Sequence, residues 1–251
     1  MTRQSGGAEP GVWKAAKASV TGAAHLREGR PNQDACAVRA GAAAVVAIAD
    51  GHGSARYPHS ARGAELACAV AQEIGDEWLA RELALAPDLA RDVVARWRER
   101  VRQESEDQEA FGTTLVFAAL AASRSLFFQL GDGDLLVIDD AGELHGPLEA
   151  DPLLLGTSTT SLISEDAWEH ARVAIVDDAY RPRVVVATTD GVSSSFSSGD
   201  GIARFVRGVE RLVSATEPPL VEERLRSVLE HYTSGGSGDD VTVVVAWRDG
   251  G

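Results

Sequence analysis

Six apolar residues, AVVAIA (44–49), run without a polar break into Asp50-Gly51-His52-Gly53. A strand with one wet face alternates apolar and polar residues, so an unbroken run of Ala, Val and Ile reads as a strand buried on both faces. Such a strand needs a layer of structure on either side. The glycines that end it mark a tight turn where backbone comes close to other atoms. The Asp and His placed there either cap that turn or edge a site.

Further strand-like runs lie at 34–40, 114–121, 125–130, 134–138, 171–176, 183–188 and 241–247. The stripes Leu66-Val70-Ile74-Trp78 and Leu89-Val93-Trp97-Val101 repeat every four residues and predict two amphipathic helices, with Pro87 suited to the first turn of the second. Two shorter stripes, Ile202-Phe205-Val206-Val209 and Val221-Leu225-Val228-Tyr232, predict another pair on either side of Pro218-Pro219. The tryptophans in these stripes read as core, and the acidic run 104–109 as a solvated helix end and loop. Helices arriving in consecutive pairs argue against a parallel doubly wound sheet and for sheets sandwiched between helix pairs. The 251 residues suffice for one large domain at 11–251, preceded by a disordered polar tail at 1–10.

The formal charge of −14 argues against nucleic acid or an anionic membrane as partner, since both repel an acidic surface. No apolar run reaches membrane-spanning length and the N-terminus lacks a secretory apolar segment, so the expected location is the cytoplasm. Cys36 and Cys68 have neither a disulfide framework nor a zinc spacing and read as reduced buried thiols. A monomer is expected.

The opening pattern recurs. Asp190-Gly191 ends VVVATT, Asp132 and Asp134 sit in a glycine turn between two apolar runs, Asp239-Asp240 precede the last run, and Asp34 opens the first. One Asp at a strand end is an ordinary turn former. Five such strand ends are harder to attribute to turns, because strands sharing sheets in the right order bring their ends together. Carboxylates gathered in a small volume cannot all ionise unaided, and hard divalent cations take carboxylate, carbonyl and water oxygens. The sequence offers no HExxH, P-loop, EF-hand loop or GxSxG elbow.

HLREGRPNQDA, AIADGHGS, FGTTL, LGDGD, ATTDGVS and GDDVTVVV follow one another in an order and spacing that resemble the metal-dependent serine/threonine protein phosphatases of type 2C, in a bacterial form, over roughly residues 19–247. The resemblance implies an α+β fold, a four-layer α-β-β-α sandwich with two central antiparallel sheets, and two Mn²⁺ or Mg²⁺ ions at one end. It implies that Asp50 bridges the ions, that the Gly51 carbonyl binds one, and that Asp190 and Asp239 bind the other. Asp34 would hold water on the metals, and Asp132 would serve a weaker third ion. A flap would lie within about 140–182, around LGTSTTS. The implied reaction is hydrolysis of phosphoserine or phosphothreonine in proteins by metal-activated water, with His52 as general acid to the leaving alkoxide. The implied partner is a phosphorylated protein, opposed by a serine/threonine kinase.

Two positions depart from the family pattern. The usual phosphate-binding Arg falls at Gly29, leaving Arg30, Arg27 or Arg56 as substitutes, with Arg30 the one selected. Gln33 replaces a Glu. Two other functions share this scaffold: hydrolysis of small phosphorylated molecules, and a catalytically silent regulatory or binding module.

Overall fold

The computed structural model describes residues 11–81, 86–149, 160–177, 181–196 and 200–249; the expected tail at 1–10 lies outside them. Among the described residues, ten strands form two antiparallel sheets of five. The first sheet runs in the order β1 (Trp13–Val20), β10 (Val241–Arg248), β9 (Pro182–Thr188), β6 (Asp134–Asp139) and β7 (Leu144–His145). The second runs β2 (Ala35–Arg39), β3 (Ala44–Ala49), β4 (Leu115–Leu120), β5 (Arg124–Leu130) and β8 (Arg172–Asp177). The helices are α1 (Ala23–Glu28), α2 (Ser60–Arg81), α3 (Ala86–Glu104), α4 (Asp190–Ser193), α5 (Gly201–Ser214) and α6 (Pro218–Gly235).

Three apolar layers hold these elements in the expected α-β-β-α sandwich. β3 shows why its sequence carries no alternation. Val45, Ala47 and Ala49 join the layer containing Ile74, Trp78 and Trp97 of α2 and α3. Ala44, Val46 and Ile48 join the layer between the sheets, with Val185 of β9 and Val244 of β10. The third layer packs α5 and α6 on the outer face of the first sheet. Trp97 is fully buried and donates its indole N–H to the Gly63 carbonyl at 2.9 Å, tying α3 to α2. Truncating such a side chain to Ala costs about 3–5 kcal/mol.

The structure departs from the sequence expectations in three places. β1 was not anticipated: WKAAKASV carries two lysines among small residues, yet it pairs with β10 along its full length, from Trp13↔Arg248 to Val20↔Val241. The short elements α1 and β7 were also not foreseen. In α6 the buried positions are Val221, Leu225, Leu229 and Thr233, whereas Val228 is 38% exposed. Val228 instead lines, with Phe205, Leu212, Leu220 and Tyr232, an open groove of about 680 Å³ between α5 and α6.

Candidate metal centre

Antiparallel pairing puts the end of one strand beside the start of its neighbour. β3 and β9 therefore end where β2 and β10 begin, at the same pole as the β5–β6 turn. Asp34 precedes β2 and Asp50 follows β3, whose terminal residues pair as Ala35↔Ala49. Asp132 lies in the β5–β6 turn, Asp190 follows Thr188-Thr189 as the first residue of α4, and Asp239 precedes β10. The other four carboxylates all act on Asp50. Burial pushes the Asp50 carboxyl well above its usual 3.8, and the next influences are Asp34, Asp190, Asp132 and Asp239, all raising it further. Asp190 is pushed up to about 6, first by burial and then by Asp132, while a hydrogen bond with Asp50 pulls the other way.

Asp34 is the most strongly held. Its Oδ2 accepts the hydroxyls of Thr242 at 2.6 Å and Thr189 at 2.9 Å. Its Oδ1 is buried and has no hydrogen-bond partner. Burial raises its pKa to about 8; the Thr242 bond opposes this and Asp240 adds to it. Asp34 as a whole is half-buried, but its Oδ1 is out of water. An orphaned carboxylate oxygen among other carboxylates is an imbalance that a hard divalent cation relieves, and the all-oxygen donor set fits Mg²⁺ or Mn²⁺.

Backbone packing fixes the turn after β3. The Asp50 carbonyl accepts the Thr113 hydroxyl at 2.8 Å and the Thr114 N–H at 2.9 Å. A Cβ on Gly51 would sit 2.5 Å from the Gln33 carbonyl oxygen and 2.8 Å from that of Ser60, so only glycine fits. The Gln33 side chain lies against this turn. Its amide donates to Ser60 Oγ at 2.6 Å and to the His52 carbonyl at 3.3 Å, bracing the turn. The half-buried His52 ring stacks at a tilt on Tyr57, with centroids 5.0 Å apart. Burial lowers its pKa, and Asp132 opposes that shift.

Of the three arginines, Arg30 lies against the site: its Nη1 donates to the Gly53 carbonyl at 3.2 Å and its Nε to Glu28 at 2.7 Å. Arg56 pairs with Glu109 and lies over Tyr57, while Arg27 sits in the last turn of α1. Gly29 has a structural reason to replace the family's Arg. It closes α1 in the left-handed region, at φ 66°, with its N–H turned back to the carbonyls of His25 and Leu26. A cavity of about 280 Å³ beside it is lined by Ala24, His25, Arg30, Gly53 and Asp239, among others.

Residues 150–159 and 178–180 of the expected flap lie outside the described residues. The segment that follows the first of these is anchored to the site, since Leu162 N–H and Ser161 Oγ both donate to the Thr113 carbonyl, at 3.0 and 3.1 Å. Arg98 holds the carbonyls of Ser164 and Glu165. Sequence reasoning gave no role to His25, or to Asp240 beyond its place in the acidic pattern. With Asp239 they form the one grouping of three potential ligand side chains, among the described residues, whose ligand atoms all lie within 4.8 Å of one another. His25 stands in the quoted HLREGRPNQDA, but a lone histidine there carries no periodic or spacing signal.

Fold and site together define a metal-dependent hydrolase scaffold: a two-sheet sandwich whose strand ends pool carboxylates at one pole. The family described as Protein phosphatase 2C matches residues 21–230, and the chain belongs to it, among the type 2C serine/threonine phosphatases. No curated protein sequence matches the chain. Among solved structures, it is similar to the catalytic domain of the serine/threonine protein phosphatase PstP in complex with two manganese ions: 21% identity, TM-score 0.66, 94% of this chain and 98% of that one. The Mycobacterium tuberculosis phosphatase PstP/Ppp is similar at 19% identity and TM-score 0.64, covering 95% and 99%. PppA, a regulatory component of the type VI secretion system in Pseudomonas aeruginosa, is similar at 19% and 0.62, covering 94% and 98%. At these identities the neighbours speak to fold, and they bear out the sandwich. No helix among the described residues is long and apolar enough to cross a membrane.

Proposed function

We propose that this chain hydrolyses phosphoserine and phosphothreonine in proteins at the acidic pole. The observation that carries the reading is the convergence of Asp34, Asp50, Asp132, Asp190 and Asp239, five carboxylates from strand ends spread over the whole chain. Asp50, the Gly51 carbonyl, Asp190 and Asp239 would hold two Mn²⁺ or Mg²⁺ ions, with Asp34 beside them and Asp132 serving a third. Such ions, when bound, supply a nucleophilic water near neutral pH and offset phosphoryl charge.

The chain's own residues do the rest. His52, next to the turn after β3, protonates the departing serine or threonine alkoxide. Arg30, braced on the Gly53 carbonyl, offers its guanidinium to the phosphoryl oxygens. Residues 11–251 act as one catalytic unit, in which Ser161 and Leu162 of the expected flap are held on Thr113 beside the pole. We place the protein in the cytoplasm as a monomer, in signalling opposed to a serine/threonine kinase.

The test is hydrolysis of p-nitrophenyl phosphate with Mn²⁺, with Mg²⁺ and with EDTA, alongside Asp190→Asn, followed by phosphopeptides and small phosphate esters. Manganese- or magnesium-dependent turnover lost in Asp190→Asn, with phosphopeptides preferred, supports the reading. Preference for small esters moves it to a small-molecule phosphatase. Folded protein that binds manganese without turnover moves it to the silent module.

A further inference from the structure

His25 is 4% exposed, and both its ring nitrogens face carboxylates. Nδ1 lies 3.0 Å from Asp240 Oδ2, and Nε2 lies 3.4 Å from Asp239 Oδ1. The Nδ1 approach falls outside hydrogen-bond geometry, leaving a buried imidazole nitrogen that the fold does not satisfy. Buried polar atoms without partners are uncommon and call for a reason.

Asp240 has a structural role of its own. Its carboxylate accepts the Gly22 N–H and the Gln33 N–H, each at 2.7 Å, and so clasps the start of β10 to the segments flanking α1. Asp239, by contrast, has a side chain 55% exposed, and its Oδ1 accepts only the adjacent Asp240 N–H, at 2.9 Å, besides facing His25. An exposed carboxylate on a short side chain samples several rotamers, whereas a metal ligand has to hold one. The buried His25 ring is packed between this clasp and Asp239, toward which it turns Nε2.

We propose that His25 is a positioning residue that holds the Asp239 carboxylate toward the metal centre. The inference rests on the reading of Asp239 as a metal ligand. A side chain that orients a ligand in this way contributes about 10–100-fold to metal affinity.

The test is Mn²⁺ binding to metal-stripped protein by isothermal titration calorimetry. The proteins are wild type, His25→Ala, His25→Gln, His25→Asn, Asp239→Asn and the His25→Ala/Asp239→Asn double variant, with near-UV circular dichroism to verify folding. We expect His25→Ala to weaken Mn²⁺ binding about tenfold or more. Gln places its amide nitrogen where Nε2 was and keeps affinity near wild type; Asn places its own where Nδ1 was and does not. In the Asp239→Asn background, His25→Ala has no further effect. An equal loss in both backgrounds would mean that His25 only supports the fold, and would overturn the proposal. So would unchanged affinity in His25→Ala while Asp239→Asn is impaired. If Asp239→Asn itself binds Mn²⁺ normally, the ligand reading fails first and the proposal falls with it.

Discussion

Removing Asp34 should stabilise the metal-free protein. Folding raises this carboxyl from 3.8 to about 8, chiefly by burial. Between those values the folded state keeps a proton that the unfolded chain has released. The associated stability is therefore full below about pH 4 and is lost as pH rises through 8. At about 1.4 kcal/mol per unit, the loss has an upper bound of about 6 kcal/mol. In Asp34→Asn the side-chain oxygen still accepts the Thr242 and Thr189 hydroxyls, now from a neutral group. Its amide, however, takes the unpartnered position of Oδ1, which costs part of the gain. The net expectation is about 2 kcal/mol at pH 8.5 in EDTA, or about 4–8 °C in melting temperature for a chain of this size. At pH 5, where only about one unit of that loss has accrued, the cost of the misplaced amide outweighs the gain and Asp34→Asn should melt below wild type. Added Mn²⁺ should reverse the order, because wild type has the carboxylate the ions need. Differential scanning fluorimetry at both pH values, with EDTA and with Mn²⁺, reads all of this. A variant that melts at or below wild type at pH 8.5 in EDTA, or gains as much at pH 5, would refute the account of an uncompensated buried charge.

Three further outcomes follow from the same geometry. Arg30→Ala should raise KM for a phosphopeptide about tenfold with kcat little changed, while Arg56→Ala, whose guanidinium pairs with Glu109, should change neither; steady-state kinetics separates them. His52→Gln should lower kcat for phosphothreonine peptides by about 10²–10⁴ but spare p-nitrophenyl phosphate, whose leaving group needs no proton; equal losses on both substrates would exclude the acid role. Gly51→Ala drives a Cβ into backbone oxygens on both sides, so it should destabilise the fold by about 1–3 kcal/mol in EDTA and lose Mn²⁺ binding, as seen by urea denaturation and calorimetry.

The parts of the fold legible in sequence were those whose burial is set by a single strong period. AVVAIA predicted a strand covered on both faces because six apolar residues in a row leave no wet side, and the stripes through Trp78 and Trp97 predicted α2 and α3 for the same kind of reason. β1 was not legible because its signal is relational: WKAAKASV is a strand through its eight-residue pairing with β10, with small alanines under α6. The α6 stripe slipped at its third position because Val228 and Leu229 are both apolar, and only packing against β1 and β10 selects Leu229. The carboxylates were legible as a group because each follows or precedes an apolar run. Arg30, next to Gly53, was legible only as one of three. His25 was not legible, because its meaning depends on Asp239 and Asp240, more than two hundred positions away.

The order β1-β10-β9 sets when such a site can exist. The strand described last in the chain is an interior strand of its sheet, filling the gap between the first strand and β9 and bringing Asp239 and Asp240 with it. On the ribosome, Asp50 emerges roughly 10–40 seconds before Asp239, at common rates of synthesis. Until β10 emerges, β1 and β9 have no strand to join them, and the pole has neither Asp239 nor the clasp at α1. If Asp239 holds metal as proposed, a nascent chain would be inactive and metal capture would read out finished folding. The same long-range pairing predicts slow folding, with the open edges on β1 and β9 the places where an incomplete chain would pair with another copy.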